Sequence, residues 1–304
     1  MSQKLSRFSL SVLILNILVI LWGAFVRASG SGAGCGAHWP LCNGELFPQA
    51  NKIQTIIEFS HRISSGLAFV IVIILFLWNK KLHSTSHPAR KFASWSLIFM
   101  VVEALIGAAL VLLKLVGDND SSHRATVVGL HLVNSFCLLA ALTLTWLCQN
   151  ENNIFKTKNY KLYALMSLFI IVSCAGAITA LGDTLFPSNS LQEGFIQDFS
   201  SSSHFLIRLR VWHPTLAIIT SLLIWIYCSL EESSKSHKIL KNLIVAQIIF
   251  GFLNLLLLAP IWAQLVHLLF ACCCWVCLVA SSLTKSYSRV GLWNFTLSLS
   301  QNRT

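Results

Sequence analysis

Four histidines, His61, His131, His213 and His267, stand inside long apolar stretches of this 304-residue chain. An ionisable side chain in a segment facing lipid costs free energy unless it is paired or ligated, so each is a candidate functional group. They occur once in every second apolar stretch, about six to nine residues inside the same end, which is roughly 9 to 14 Å at the rise of an α-helix. The four therefore form one layer. Facing imidazoles inside a four-helix bundle suit a planar macrocycle, because each can take one axial position of a haem iron while the bundle buries the ring system. Two pairs imply two haem positions. Zinc suits the pattern less: two histidines per bundle, with no thiolate or second carboxylate at matching depth, leave a tetrahedral site short of ligands. For any one of the four taken alone, hydrogen-bonded packing is the plain alternative. The remaining histidines, His38, His83, His87, His123, His204 and His237, fall in loops or at helix ends.

Glu58 lies three residues before His61 and therefore shares its helix face, with Arg62 one turn beyond Glu58. The carboxylate serves either as an orienting hydrogen-bond or ion-pair partner or as a proton-moving group beside the reacting centre. The corresponding position before His213 is Arg210, which predicts one catalytic half and one supporting half. Cys35 and Cys42 bracket the end of a Gly-rich loop on the side that the charge pattern places outside the cytoplasm, where disulfides persist. They can pair, as a structural clip or as a redox-active couple. The other eight cysteines, Cys272, Cys273 and Cys274 among them, read as small apolar packing residues.

The elements that must position these groups are membrane helices. With 55% hydrophobic and 11% charged residues and a mean hydropathy of +0.70, the chain cannot build a charged water-soluble globule. Runs of about 20 residues, long enough to cross a bilayer, recur near Ser9 to Ala28, Gln54 to Trp78, Phe92 to Leu115, Arg124 to Cys148, Leu162 to Leu181, His204 to Leu230, Lys241 to Ala259, and Ile261 to Leu283. None alternates as a barrel strand would, so an all-α membrane protein of eight transmembrane helices is expected. The first run follows Lys4 and Arg7 like a signal peptide, but it has no small-residue cleavage site and reads as the first span. The net charge of +11 is partitioned among loops rather than gathered on one soluble face, which excludes nucleic acid as a partner. Lys4, Arg7, Lys80, Lys81, Arg90, Lys91, Lys156, Lys158, Lys161, Lys235, Lys238, Lys241, Lys285, Arg289 and Arg303 fall on one side, which is read as cytoplasmic. Glu45, Asp118, Asp120, Asp183, Glu193 and Asp198 fall on the other, so both termini are expected on the cytoplasmic side of the cell membrane.

The two halves repeat each other weakly. Glu103-Ala-Leu-Ile-Gly107 matches Gln247-Ile-Ile-Phe-Gly251, Gly129-Leu-His131-Leu matches Leu265-Val-His267-Leu, His61 corresponds to His213, and Gly23-Ala-Phe-Val to Gly176-Ala-Ile-Thr. Two pseudo-symmetric four-helix bundles follow, residues 1–150 and 151–304. An even number of crossings gives both copies the same orientation, about an axis along the membrane normal.

The chain resembles the haem A synthase family in Ile57-Glu58-Phe-Ser-His61-Arg62, in the Cys35 to Cys42 loop with its Trp-Pro-Leu-Cys-Asn-Gly end, in Gly-Leu-His131, and in the stretch from Asn254 through Pro260 to His267. The resemblance implies oxidation of one methyl group of haem O to a formyl group, giving haem A for cytochrome oxidase. It implies that His61 and His131 flank the substrate haem in the N-terminal half with Glu58 as catalytic carboxylate. His213 and His267 then hold a permanent haem b in the C-terminal half, and Cys35 and Cys42 are the family's outer cysteine pair. The implied partners are the lipid bilayer, the haem O synthase that supplies substrate, cytochrome oxidase assembly and an electron donor the sequence does not name; homo-oligomerisation is left open. Arg27, Arg62, Arg124, Arg208 and Arg210 lie near outer helix ends and suit haem propionates, with snorkelling to the interface as the simpler alternative. The chain departs from the family's pattern at Pro214, where many members carry arginine, and in the Asp183 to Ser203 loop, which lacks the second cysteine pair of some relatives. Two rivals share parts of the pattern. A dihaem b-type electron carrier linked to the outer thiols needs no substrate, and a transporter built on parallel repeats would place its polar groups at the midplane.

Overall fold

In lipid a backbone must close its hydrogen bonds within each apolar stretch, so these runs are forced into helices. The computed structural model describes residues 2–49, 52–149, 159–231 and 235–283. The helices are α1 (Ser2–Ala28), α2 (Ile53–Leu82), α3 (Pro88–Leu112), α4 (Ser122–Leu147), α5 (Tyr160–Leu185), α6 (Leu191–Phe199), α7 (Phe205–Arg208), α8 (Trp212–Leu230), α9 (Lys235–Leu256) and α10 (Ile261–Ser281). Among the described residues eight segments are long and apolar enough to span a membrane, α7 and α8 together forming the sixth. Lys156 and Lys158, the division at 150/151, and Lys285, Arg289 and Arg303 lie outside the described residues.

Several boundaries differ from the sequence reading for local reasons. Helix α3 begins at Pro88 rather than Phe92, because proline is tolerated in the first turn and the His87 ring accepts a hydrogen bond from the Ala89 N–H at 3.2 Å. Helix α9 stops at Leu256, since Leu258 and Ala259 turn to φ 58° and 54° ahead of Pro260. The sixth span is broken between Arg208 and Trp212. Pro214 has no N–H to return to the Arg210 carbonyl, so the helix restarts just upstream of it. One element was not read from sequence: α6, inside the Asp183 to Ser203 loop, is capped by the Ser190 hydroxyl accepting from the Glu193 N–H.

Helices α1, α2, α3 and α4 pack in a closed ring, each touching the next and α1 touching α4. Helices α5, α8, α9 and α10 close a second ring. The rings meet where α4 packs on α5 and α10, and α1 on α10 and α5. At that seam Phe136, Phe169 and Trp275 stack with centroids 5.5 to 6.1 Å apart, and the Trp275 indole N–H donates to the Phe136 carbonyl at 2.7 Å. Elsewhere along the seam, Arg27 of α1 reaches across to the other ring, donating to Ala180 O at 2.6 Å, Thr184 Oγ1 at 2.7 Å and Gln264 Oε1 at 2.9 Å.

Large apolar side chains point outward, as Ile63, Leu67, Val70 and Ile74 do along one stripe of α2. That is the surface a bilayer covers. Polar side chains within the spans bond back to their own helix: Ser9 to Leu5 O, Asn16 to Val12 O, Thr143 to Leu139 O and Thr145 to Ala141 O, all at 2.7 to 2.8 Å.

Candidate functional site

The four histidines belong to α2, α4, α8 and α10, so each ring of helices contributes two. His213 is the second residue of α8 rather than deep in an unbroken helix, and α7 supplies the turn above it. Its imidazole meets that of His267 with centroids 6.2 Å apart and planes at 88°. Two metal–imidazole bonds of about 2 Å, each extended by the roughly 1 Å from nitrogen to ring centre, sum to about 6 Å. The pair thus stands at the separation that one shared iron requires. The His213 Nδ1 lies 3.1 Å from Val172 O. A carbonyl only accepts, so Nδ1 carries the proton and the Nε2 lone pair is available to a metal.

His61 on α2 and His131 on α4 belong to the same ring of helices, and neither is exposed. The Nδ1 atoms of His61, His131 and His267 are buried without hydrogen-bond partners. Buried rings that keep a nitrogen free of hydrogen bonds are suited to ligate a haem iron.

Glycine makes room for three of the four rings. A Cβ on Gly23 would stand 3.0 Å from His61 Cε1, one on Gly176 2.7 Å from His213 Cε1, and one on Gly251 3.1 Å from His267 Cε1. At Gly107 a Cβ would meet nothing within 4 Å. There the neighbour of His131 is Glu103, whose Oε1 lies 3.4 Å from His131 Nδ1, an ion-pair distance rather than a hydrogen bond. The Asn134 amide donates to Glu103 Oε2 at 2.6 Å, and the Ser135 hydroxyl donates to Oε1. The repeat alignment included Glu103, but only its contact with His131 marks it as part of the site.

Glu58 is 3% exposed and tied to the disulfide loop. The Cys35 N–H donates to its Oε2 at 2.7 Å, and Arg62 grips its Oε1. Arg62 also donates to His38 O at 2.5 Å and Leu41 O at 2.6 Å, between the bonded Cys35 and Cys42. The loop is seated closely on the start of α2: Thr55 Oγ1 donates to Gly34 O at 2.8 Å, and a Cβ on Gly34 would fall 2.3 Å from Gln54 O.

The other arginines are distributed differently. Arg27 is occupied at the seam. Arg124 donates to Gly117 O and Asn119 O at 2.6 and 2.7 Å, its Nε left without a partner. Arg210 bridges Asp183 and Asp198, both at 3.0 Å, its buried Nη2 also without a partner, while Arg208 is exposed. Asp198 lies outside the spans, and burial lifts its carboxyl above the ordinary range against the opposing pull of Arg210. Of the free cysteines, Cys148, Cys228, Cys272, Cys274 and Cys277 are buried.

The family model described as cytochrome oxidase assembly protein matches residues 6–279. Over 305 residues the chain is 41% identical to a protein of Thermus thermophilus named protoheme IX farnesyltransferase, an alignment covering 95% of this chain and 50% of that one. The chain thus spans about half the length of these Thermus relatives, whose alignments cover 50% of each. It is 29% identical over 266 residues to a heme A synthase of Bacillus pumilus, covering 83% of this chain and 82% of the relative. It is likewise 29% identical over 304 residues to a heme A synthase of Halalkalibacterium halodurans, covering 92% and 98%.

Proposed function

The chain belongs to the cytochrome oxidase assembly protein family, and from that premise we propose that it is a haem A synthase, oxidising one methyl group of haem O to the formyl group of haem A. The observation that carries this reading is the meeting of His213 and His267 at 6.2 Å, with His61 and His131 at the repeated positions of the other ring. In this reading residues 1–150 form the half that receives substrate and residues 151–304 the half that holds haem b. The two are pseudo-symmetric bundles about an axis along the membrane normal. The positive-inside bias supports both termini at the cytoplasmic face of the cell membrane and the Cys35–Cys42 loop outside.

His213 and His267 would hold haem b, which would supply a one-electron couple. Positioning and proton movement fall to side chains. His61 and His131 orient haem O between α2 and α4, and an isoprenoid tail would lie against the lipid-facing stripe of the spans. Converting a methyl to a formyl group with the oxygen of water releases four electrons and four protons; the electrons would leave singly through the haem b couple to an oxidant outside the chain, and the protons must be carried away. Glu58, one turn from His61, is the carboxylate placed to accept them, and Arg62 and the Cys35 N–H fix its position. The partly unpaired guanidiniums of Arg124 and Arg210 are the candidates for haem propionates, with Arg208 beside them. Arg27 and Arg62 are engaged elsewhere. The Thermus relatives are named for farnesyl transfer to protoheme. Enzymes of that reaction class make the prenylated haem that this chain would consume.

Expression in cells that make haem O but not haem A, followed by haem extraction and separation by mass, tests the reading. Haem A is the expected product. Recovery of haem O alone from folded protein supplied with reductant would overturn it.

A further inference from the structure

Resting on the haem reading above, we propose that Glu103 and Gln247 are positioning residues that set the two haem sites to different reduction potentials, Glu103 by presenting a negative charge to His131 and Gln247 by presenting a neutral amide to His267. Sequence alignment of the halves makes the two residues equivalents, and the structure gives them equivalent partners. Glu103 Oε1 lies 3.4 Å from His131 Nδ1, and Gln247 Nε2 lies 3.1 Å from His267 Nε2.

A carboxylate inside a span is costly, and packing alone does not explain it, because Gln247 fills the corresponding place with an uncharged side chain of nearly the same shape. The carboxylate is also held on purpose-placed donors. Asn134 and Ser135, both buried on α4 just after His131, donate to its two oxygens, and Asn134 is itself anchored to Phe99 O at 2.9 Å on α3. Glu103 can therefore face only a narrow range of directions, and His131 stands in it.

The chemical consequence follows from the sign of the groups. A carboxylate can only accept from an imidazole, which makes the ring a stronger electron donor toward a metal on its other nitrogen. Low dielectric around the pair strengthens the effect. A negative charge there favours the oxidised, more positive iron and lowers its potential. Gln247 is uncharged: facing a ligated His267, whose second nitrogen carries a proton, its amide can offer that proton only a neutral oxygen, which strengthens the ring as a donor less than a carboxylate does and leaves the reduced iron relatively favoured. The half with Glu103 is thereby the weaker oxidant of the two, and electrons released there run downhill toward the half with Gln247.

The test is a pair of reciprocal exchanges in the full-length protein, reconstituted in lipid and loaded with haem, with haem content measured first and each site's potential then followed by spectroelectrochemistry. Glu103→Gln should raise the reduced-to-oxidised ratio of the N-terminal haem about tenfold at fixed poise, equal to about 59 mV for a one-electron couple. Gln247→Glu should lower the ratio of the C-terminal haem by a similar factor, each exchange leaving the other site in place. Unchanged potentials in both variants with full haem content would overturn this inference and leave the haem reading standing. Wild-type protein that takes up no haem would overturn both. Should Glu103→Gln fail to hold haem, the fall in the C-terminal potential of Gln247→Glu decides the matter alone.

Discussion

Glu58 has its two oxygens claimed by the Cys35 N–H and by Arg62, so its charge is fixed in place before any substrate arrives. Replacing it with glutamine keeps the volume and removes the charge. Glu58→Gln is expected to abolish haem A formation, a fall of at least about 100-fold for the loss of a positioned acid–base group, with haem content unchanged in extracts of the purified protein. A pure electron carrier would lose far less. How legible these residues were depends on where their partners sit. The four histidines and Glu58 stand out because an ionisable group in an apolar run is anomalous by itself. Arg27 was legible only as a cation near a helix end, and Arg62 as that and as the neighbour of Glu58 one turn away. Their remaining acceptors are carbonyls and side chains 21 to 237 residues away, which no local pattern announces. Glu103 surfaced as a mark of the repeat but not as a member of the site, since His131 comes to it from another helix.

At the scale of the helix, the glycines on α1, α5 and α9 are the other half of the geometry of His61, His213 and His267. A methyl group on Gly176 would intrude on the His213 ring, whereas one on Gly107 enters open space. Gly176→Ala is therefore expected to displace the His213 ring and lower the C-terminal haem absorbance several-fold. Gly107→Ala should leave the spectrum unaltered and, in a helix interior, stabilise by about 0.5–1 kcal/mol. Absorption spectra at matched protein concentration and thermal melts in one detergent decide both. The eight spans were readable from apolar length, yet their ends were not, because capping by His87, the positive φ at Leu258 and Ala259, and the missing N–H of Pro214 act over one or two residues. Helix α6 carried a signal, Leu191, Phe195, Ile196 and Phe199 at helical spacing, inside a segment that was read as loop.

For the molecule as a whole, part of the seam between the two rings is an aromatic stack in which the Trp275 indole N–H is bonded to the Phe136 carbonyl. Trp275 is 2% exposed and its stacking partners come from α4 and α5. Trp275→Ala should cost about 3–5 kcal/mol by the cavity it leaves, read as a lowered melting temperature, and Trp275→Phe should recover most of the packing while leaving the Phe136 carbonyl without its indole donor. This seam was invisible to sequence reading, which saw Phe136, Phe169 and Trp275 only as three apolar residues in three runs. Arg27 bears on the same seam in time as well as in space. Its guanidinium enters with the first span, but its acceptors are Ala180 and Thr184 on the fifth and Gln264 on the last. A chain that stops short of Gln264 leaves Arg27, in the last turn of its first helix, with Ala180 and Thr184 in place but one acceptor short. The grip on that cation is completed only when synthesis has delivered the final crossing.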